Sequence, residues 1–169
     1  EFAKHEKCVA IGEIGLDYYW EPDVKEIQKK LFIEQIELAI ELDLPVIVHD
    51  REAHGDTLEI LKEYKPKGVV HSFSGSVEMA EEILKLGMYI GLGGALTFKN
   101  ARKSVEVAEM LPLDRLLLET DCPYMAPVPF RAKRNYSGYI PYIAEKVAEI
   151  KGIETQTVLD ITNKNTKKL

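Results

Sequence analysis

The chain has 169 residues, enough for one sizeable hydrophobic core and a single domain over 1–169. Its 46% hydrophobic and 30% charged residues exclude a disordered or collagen-like chain, and no apolar run approaches a membrane span, so no membrane partner is expected. A net charge of −6 gives no broad footprint for nucleic acid and leaves any such contact to a local basic patch, while two distant cysteines, Cys8 and Cys122, imply no disulfide framework and fit a reducing, cytoplasmic setting.

The opening "EFAKHEKCVA" lacks an initiator methionine, so a fragment of a longer chain is expected. Next, "CVAIGEIG" (8–15) reads as a strand. A long helix follows near 23–43, with Val24, Ile27, Leu31, Leu38 and Leu42 on one face at helical spacings, and Pro45 closes it. "LPVIVH" (44–49), "GVVHSF" (68–73), "MYIGLGG" (88–94) and "RLLLETD" (115–121) read as four more strands. Helices are expected over 53–64, 76–86 (with Gly87 as its stop) and 101–111, then in "YIPYIAEKVAEIKG" and from about 155. Alternating strands and helices predict an α/β fold with a parallel sheet. An open doubly wound sheet should carry a glycine-rich phosphate loop after its first strand, and "GEIGLDYY" is not one. An incomplete TIM-type (β/α)8 barrel is therefore expected, since five units fall short of the roughly 250 residues of a closed one.

Four of these strands carry a metal-competent side chain at or near their ends: Glu13, His49, His71 and Asp121. In a parallel barrel all four would face one mouth, at the C-terminal ends of the strands. One histidine at a strand end is more often a structural hydrogen-bonder, and one acid there is usually a solvated loop residue. Four together favour a metal site, and two imidazoles with two carboxylates suit zinc, manganese or magnesium. Glu119, two residues before Asp121, shares its face of the strand and is placed to support a ligand by hydrogen bonding. His5 and His54 lack such a context and are read as surface residues.

Around this mouth, Arg51 is a candidate phosphate clamp, against an ion pair with Glu52 or Asp56. Ser74 and Gly75 are candidate anion donors at the start of the next helix. Arg131, Lys133 and Arg134 form the dense basic cluster, suited to a nucleic-acid backbone or simply to solvent. Tyr18, Tyr19 and Trp20 are candidates to stack on an unpaired base, although loop aromatics more often pack on their neighbours.

"GEIGLDYYW", "LPVIVHDRE", "HSFSG" and "LLLETDCP", in this order and spacing, resemble the TatD family of metal-dependent deoxyribonucleases over nearly the whole chain. The resemblance implies a TIM-type barrel with two divalent metal ions (magnesium, manganese or zinc), Glu13 as a shared ligand, and His49, His71 and Asp121 as further ligands. It implies removal of nucleotides from DNA 3′ ends, with Glu13 and Asp121 as the catalytic carboxylates, or, as an alternative, removal of D-amino acids from tRNA. The family's first strand carries His-x-His, and no such pair occurs here. The resemblance thus begins near the fourth strand, implying three missing βα units, an inactive fragment as a further alternative, and open sheet edges prone to self-association. "FRAKRNYSG" (130–138) also departs from the family's pattern after its arginine and asparagine.

Overall fold

The computed structural model describes residues 2–169. Five strands, β1 (Ile11–Asp17), β2 (Val46–Arg51), β3 (Gly68–Val70), β4 (Tyr89–Leu92) and β5 (Leu116–Leu118), form one sheet in the order β1-β2-β3-β4-β5. Every neighbouring pair is parallel. Strict sequential order means each crossover steps to the next strand in the same direction. With the usual right-handed crossover, that lays all the helices on one face. A doubly wound sheet would reverse its order part-way, and this one does not.

The crossovers are α1 (Lys25–Glu41), α2 (His54–Tyr64), α3 (Val77–Lys85) and α4 (Arg102–Met110); α5 (Ile140–Lys151) and α6 (Thr155–Lys168) follow the last strand. Val46, Val48, Val70, Ile90, Leu92 and Leu116 alternate onto the helix-facing side of the sheet. There they join one core with Phe32 and Ile36 of α1, Leu61 of α2, Ile83 of α3, Val107 of α4 and Val147 of α5. A fully buried side chain of this size contributes about 1.5–3 kcal/mol. Val69, Tyr89 and Leu117 take the opposite face and pack with Leu169. Among the described residues no helix is long and apolar enough to cross a membrane.

The apolar stripe expected on α1 is the wrong one. Ile27 and Leu31 are 60% and 52% exposed and Leu38 is also exposed, while Phe32, Ile36 and Ala39 are buried. The helix has apolar residues nearly all round, so spacing alone does not choose between two stripes. β3, β4 and β5 are also shorter at their C-terminal ends than expected, whereas β1 and β2 each run two residues further. His71 is the first residue beyond β3, and Asp121 lies three residues beyond β5 in a loop with φ of 54°.

One glycine fixes how β1 meets β2. Gly15 has φ of +143°, and a Cβ there would fall 2.0 Å from the carbonyl oxygen of His49. Neither the backbone nor the space accepts a side chain. Gly15→Ala is expected to cost at least about 2 kcal/mol in denaturant unfolding. Gly55 lies in α2, and a Cβ added there would meet nothing within 4 Å, so Gly55→Ala should instead stabilise by about 0.5–1 kcal/mol. Equal effects from the two would show that the β1–β2 approach is not the constraint.

Candidate metal centre

The sheet brings together Glu13 of β1, His49 of β2 and His71, the residue that follows β3. Oε1 of Glu13 lies 2.8 Å from Nδ1 of His49 and 2.8 Å from Nε2 of His71. Those two nitrogens are 3.4 Å apart. One ligand atom from each of the three residues falls within 4.8 Å of the others, the compactness a single cation requires.

The outer ring nitrogens are held as well. Nε2 of His49 is 3.0 Å from Oδ2 of Asp17, four residues after Glu13 on β1. Nδ1 of His71 is 3.6 Å from Oε2 of Glu119, an electrostatic contact too long for a good hydrogen bond. Glu119 is itself anchored, since its Oε1 accepts from the backbone N–H of Ser72. Imidazoles backed by carboxylates are the usual support of metal-binding histidines. β4 contributes no side chain here, and the reason is space. A Cβ on Gly91 would stand 3.2 Å from both the Glu119 carboxyl carbon and the His71 Cα.

Asp121 stands outside the three-residue cluster but lines the same cavity of about 320 Å³ with Glu13, His49, His71, Arg51 and Ser74. Although it is exposed, partial burial raises its carboxyl above the usual range. The charge of His71 opposes that rise, and those of Glu119 and Glu13 add to it. Its loop is pinned by Asn135, whose buried amide donates to the carbonyls of Thr120 and Tyr124, both at 2.7 Å. The "FRAKRNYSG" segment therefore holds the Asp121 loop in place.

Other expected site residues fall elsewhere. Ser74 reaches the cavity, and Ser76 caps α3 by accepting from the N–H of Met79, at the expected start of the helix. Gly75 is buried, and a Cβ there would strike Phe73 and Met79, so close packing requires glycine at this position. Arg131 lines a second cavity of about 300 Å³ with Lys133, Phe98 and Tyr124, joined to the first by Met125. Arg51 forms no ion pair among the described residues; Asp56 is engaged instead by Lys29 at 2.7 Å and by the Tyr18 hydroxyl at 2.6 Å. Tyr18 is thus a strut and not a stacking surface. His54 is only partly exposed, its Nδ1 2.7 Å from Oδ2 of the buried Asp50 carboxylate.

The residue that sequence reasoning missed is Asp17. Its signal was available, because Glu13 and Asp17 are four apart on one strand and share a face. The spacing was hidden because the expected strand stopped at Gly15, two residues short of Asp17.

A family model described as "TatD related DNase" matches residues 1–169. The chain belongs to this family. It is 49% identical to the uncharacterized metal-dependent hydrolase YabD of Bacillus subtilis (strain 168), over all of this chain and 68% of that protein. It is 45% identical to the uncharacterized metal-dependent hydrolase YcfH of Escherichia coli (strain K12), over 99% of this chain and 64% of that one. The crystal structure of YJJV, a TatD homologue from Escherichia coli K12, superposes with a TM-score of 0.89 at 37% identity, over 95% of this chain and 63% of the other. The chain therefore spans about two thirds of the length of these relatives. It is a TatD-family chain with a TIM-barrel-like α/β fold.

Burial works against a charged His71, but the carboxylates of Glu119 and then Glu13 outweigh it and push its pKa up to about 9. A raised imidazole pKa stabilises the fold below the ordinary value of 6.5, and that contribution is lost as pH rises through about 9. The metal-free protein is thus expected to lose stability between these values. Glu119→Gln should flatten that slope in denaturant unfolding measured across the range. An unchanged slope would assign the pH dependence to another group.

Proposed function

We propose that the chain is the metal-binding part of a divalent-metal-dependent phosphodiesterase that removes nucleotides from DNA 3′ ends. The observation that carries this reading is the Glu13 carboxylate set between two imidazoles whose outer nitrogens face Asp17 and Glu119. Two nitrogens and an oxygen, backed by further carboxylates, form a donor set that fits zinc, manganese or magnesium. The family description, which names a DNase, supports phosphodiester bonds as the target.

Glu13, His49 and His71 would hold one cation, and Glu13 with Asp121 would contribute to a second. Such cations polarise the phosphoryl group and make water more acidic. Asp121, whose carboxyl is raised above the usual range by partial burial, accepts the proton of the attacking water. Arg51, free of any carboxylate partner among the described residues, pairs with a phosphate oxygen. Asp17 and Glu119 fix the ring orientations of His49 and His71.

In this reading the five strands are part of an eight-stranded barrel. The sequential parallel order and the superposition on a longer chain support it. β1 and β5 each have one strand neighbour among the described residues, so their outer edges can pair with further strands or with a second copy.

The deciding experiment is nucleotide release from single-stranded DNA with added magnesium or manganese, for this chain and for Asp121→Asn. Metal-dependent release is expected, with a loss of at least about 100-fold in the variant. Release that survives chelation, or that Asp121→Asn retains, would sink the mechanism. Release of an amino acid from D-aminoacyl-tRNA, with none from DNA, would move the assignment to ester hydrolysis. No release from either substrate would mark this chain as inert by itself.

A separate expectation concerns metal affinity. Asp17→Asn should weaken binding by about 10- to 100-fold in calorimetric titration with manganese or zinc, because His49 loses its orienting charge. Unchanged affinity would mean that Asp17 does not support His49 as a ligand.

A further inference from the structure

The loop after β1 presents two large aromatic side chains that the metal centre does not use. Tyr19 and Trp20 are 55% and 67% exposed. Their backbone is nevertheless firmly held. Oδ1 of Asp17 accepts from the N–H groups of both, each at 3.0 Å. Gln28 of α1 accepts from the Asp17 N–H and donates to the carbonyls of Asp17 and Glu21. The two rings meet edge to face, with centroids 4.8 Å apart and planes at 88°.

Arg51 ties this pair to the cavity. Its guanidinium carbon lies 4.2 Å from the Tyr19 ring centroid and 5.5 Å from that of Trp20, and the same side chain lines the cavity beside Glu13 and His49. A planar cation resting on aromatic faces keeps its hydrogen-bond donors free for an anion. The juxtaposition is thus an exposed π-face, an unpaired cation and a hydrolytic cavity in sequence. A nucleotide offers the matching parts in the same order: a base with a π-face, then a phosphate.

We propose that Tyr19, Trp20 and Arg51 form a subsite for an unpaired base of a single-stranded nucleic acid, with Arg51 engaging the phosphate attached to that base. The proposal rests on the phosphodiesterase reading of the adjoining cavity. Stacking tolerates any base, since each has a π-face, so the subsite selects by strandedness and not by sequence. A base inside a duplex already has both faces covered, and only an unpaired one can be received.

Trp20 is the chain's one tryptophan, so its fluorescence reports on this subsite directly. The full chain is titrated with a single-stranded oligodeoxynucleotide, with an abasic phosphodiester oligomer of equal length, and with a blunt duplex. Saturable quenching is expected from the first alone. By anisotropy of labelled oligomers, Trp20→Ala should weaken single-strand binding about tenfold and erase its advantage over the abasic oligomer, and Trp20→Phe should restore most of that advantage. Equal quenching by the abasic oligomer, or unchanged affinity in Trp20→Ala, overturns the subsite. Nucleotide release, followed in the same samples, separates the two ideas. Release with Trp20 unaffected overturns the subsite and leaves the phosphodiesterase reading standing. Quenching without release supports the subsite and counts against the hydrolysis. Neither quenching nor release overturns both.

Discussion

A single carboxylate oxygen, that of Glu13, sits 2.8 Å from nitrogens carried by two other segments of the sheet, and most of the local architecture follows from keeping it there. β1, β2 and β3 must lie side by side in parallel register to within a fraction of an ångström. Gly15 permits the close approach of β1 to the His49 backbone, and Gly91 leaves β4 bare so that Glu119 and His71 have room. Ser72, in the left-handed region, turns its N–H onto Glu119. These residues make the site possible without entering its chemistry. The cost of the arrangement is electrostatic: Glu13, Asp17, Glu119 and Asp121 gather around two imidazoles. A proton on His71 offsets part of that charge, and a divalent cation would offset more by displacing the proton.

The fold was legible where side-chain pattern and secondary structure agree. Short, mostly apolar runs between helical stretches marked all five strands, most cleanly β3 and β4, which are buried on both faces and have no polar side to interrupt them. The α1 stripe was not legible. Ile27, Leu31 and Leu38 compete with Phe32, Ile36 and Ala39 around one cylinder, and the packing of α1 on β1 selects the second set. The C-terminal ends of β3 and β5 were overextended. The expected strands took in "HSF" and "ETD", but the backbone leaves the sheet at Val70 and Leu118.

The metal centre was legible to the extent that its residues recur at equivalent places in successive units. Glu13, His49 and His71 were found by this recurrence. Asp17 escaped it because it is a second acid within one unit, and Asn135 because its role is to hold a loop from a distance, through two backbone carbonyls. Ser74 and Gly75 were read as the approach to a helix expected from residue 76, and the helix does start there. The Ser76 cap is what fixes the start of α3.

Net charge was the least informative quantity, and the structure shows why. A chain at −6 nonetheless sets cations at two places around its cavities. Arg51 rests on Tyr19 and Arg131 on Phe98, each with 4.2 Å between guanidinium carbon and ring centroid. An aromatic face positions a guanidinium without neutralising it, whereas a carboxylate partner would consume its charge. Lys29, Lys62 and Lys67, by contrast, are each spent on a carboxylate within 2.7 Å. Which cations remain available is decided by what lies beneath them. That is a property of packing, and it is invisible to any sum over the sequence.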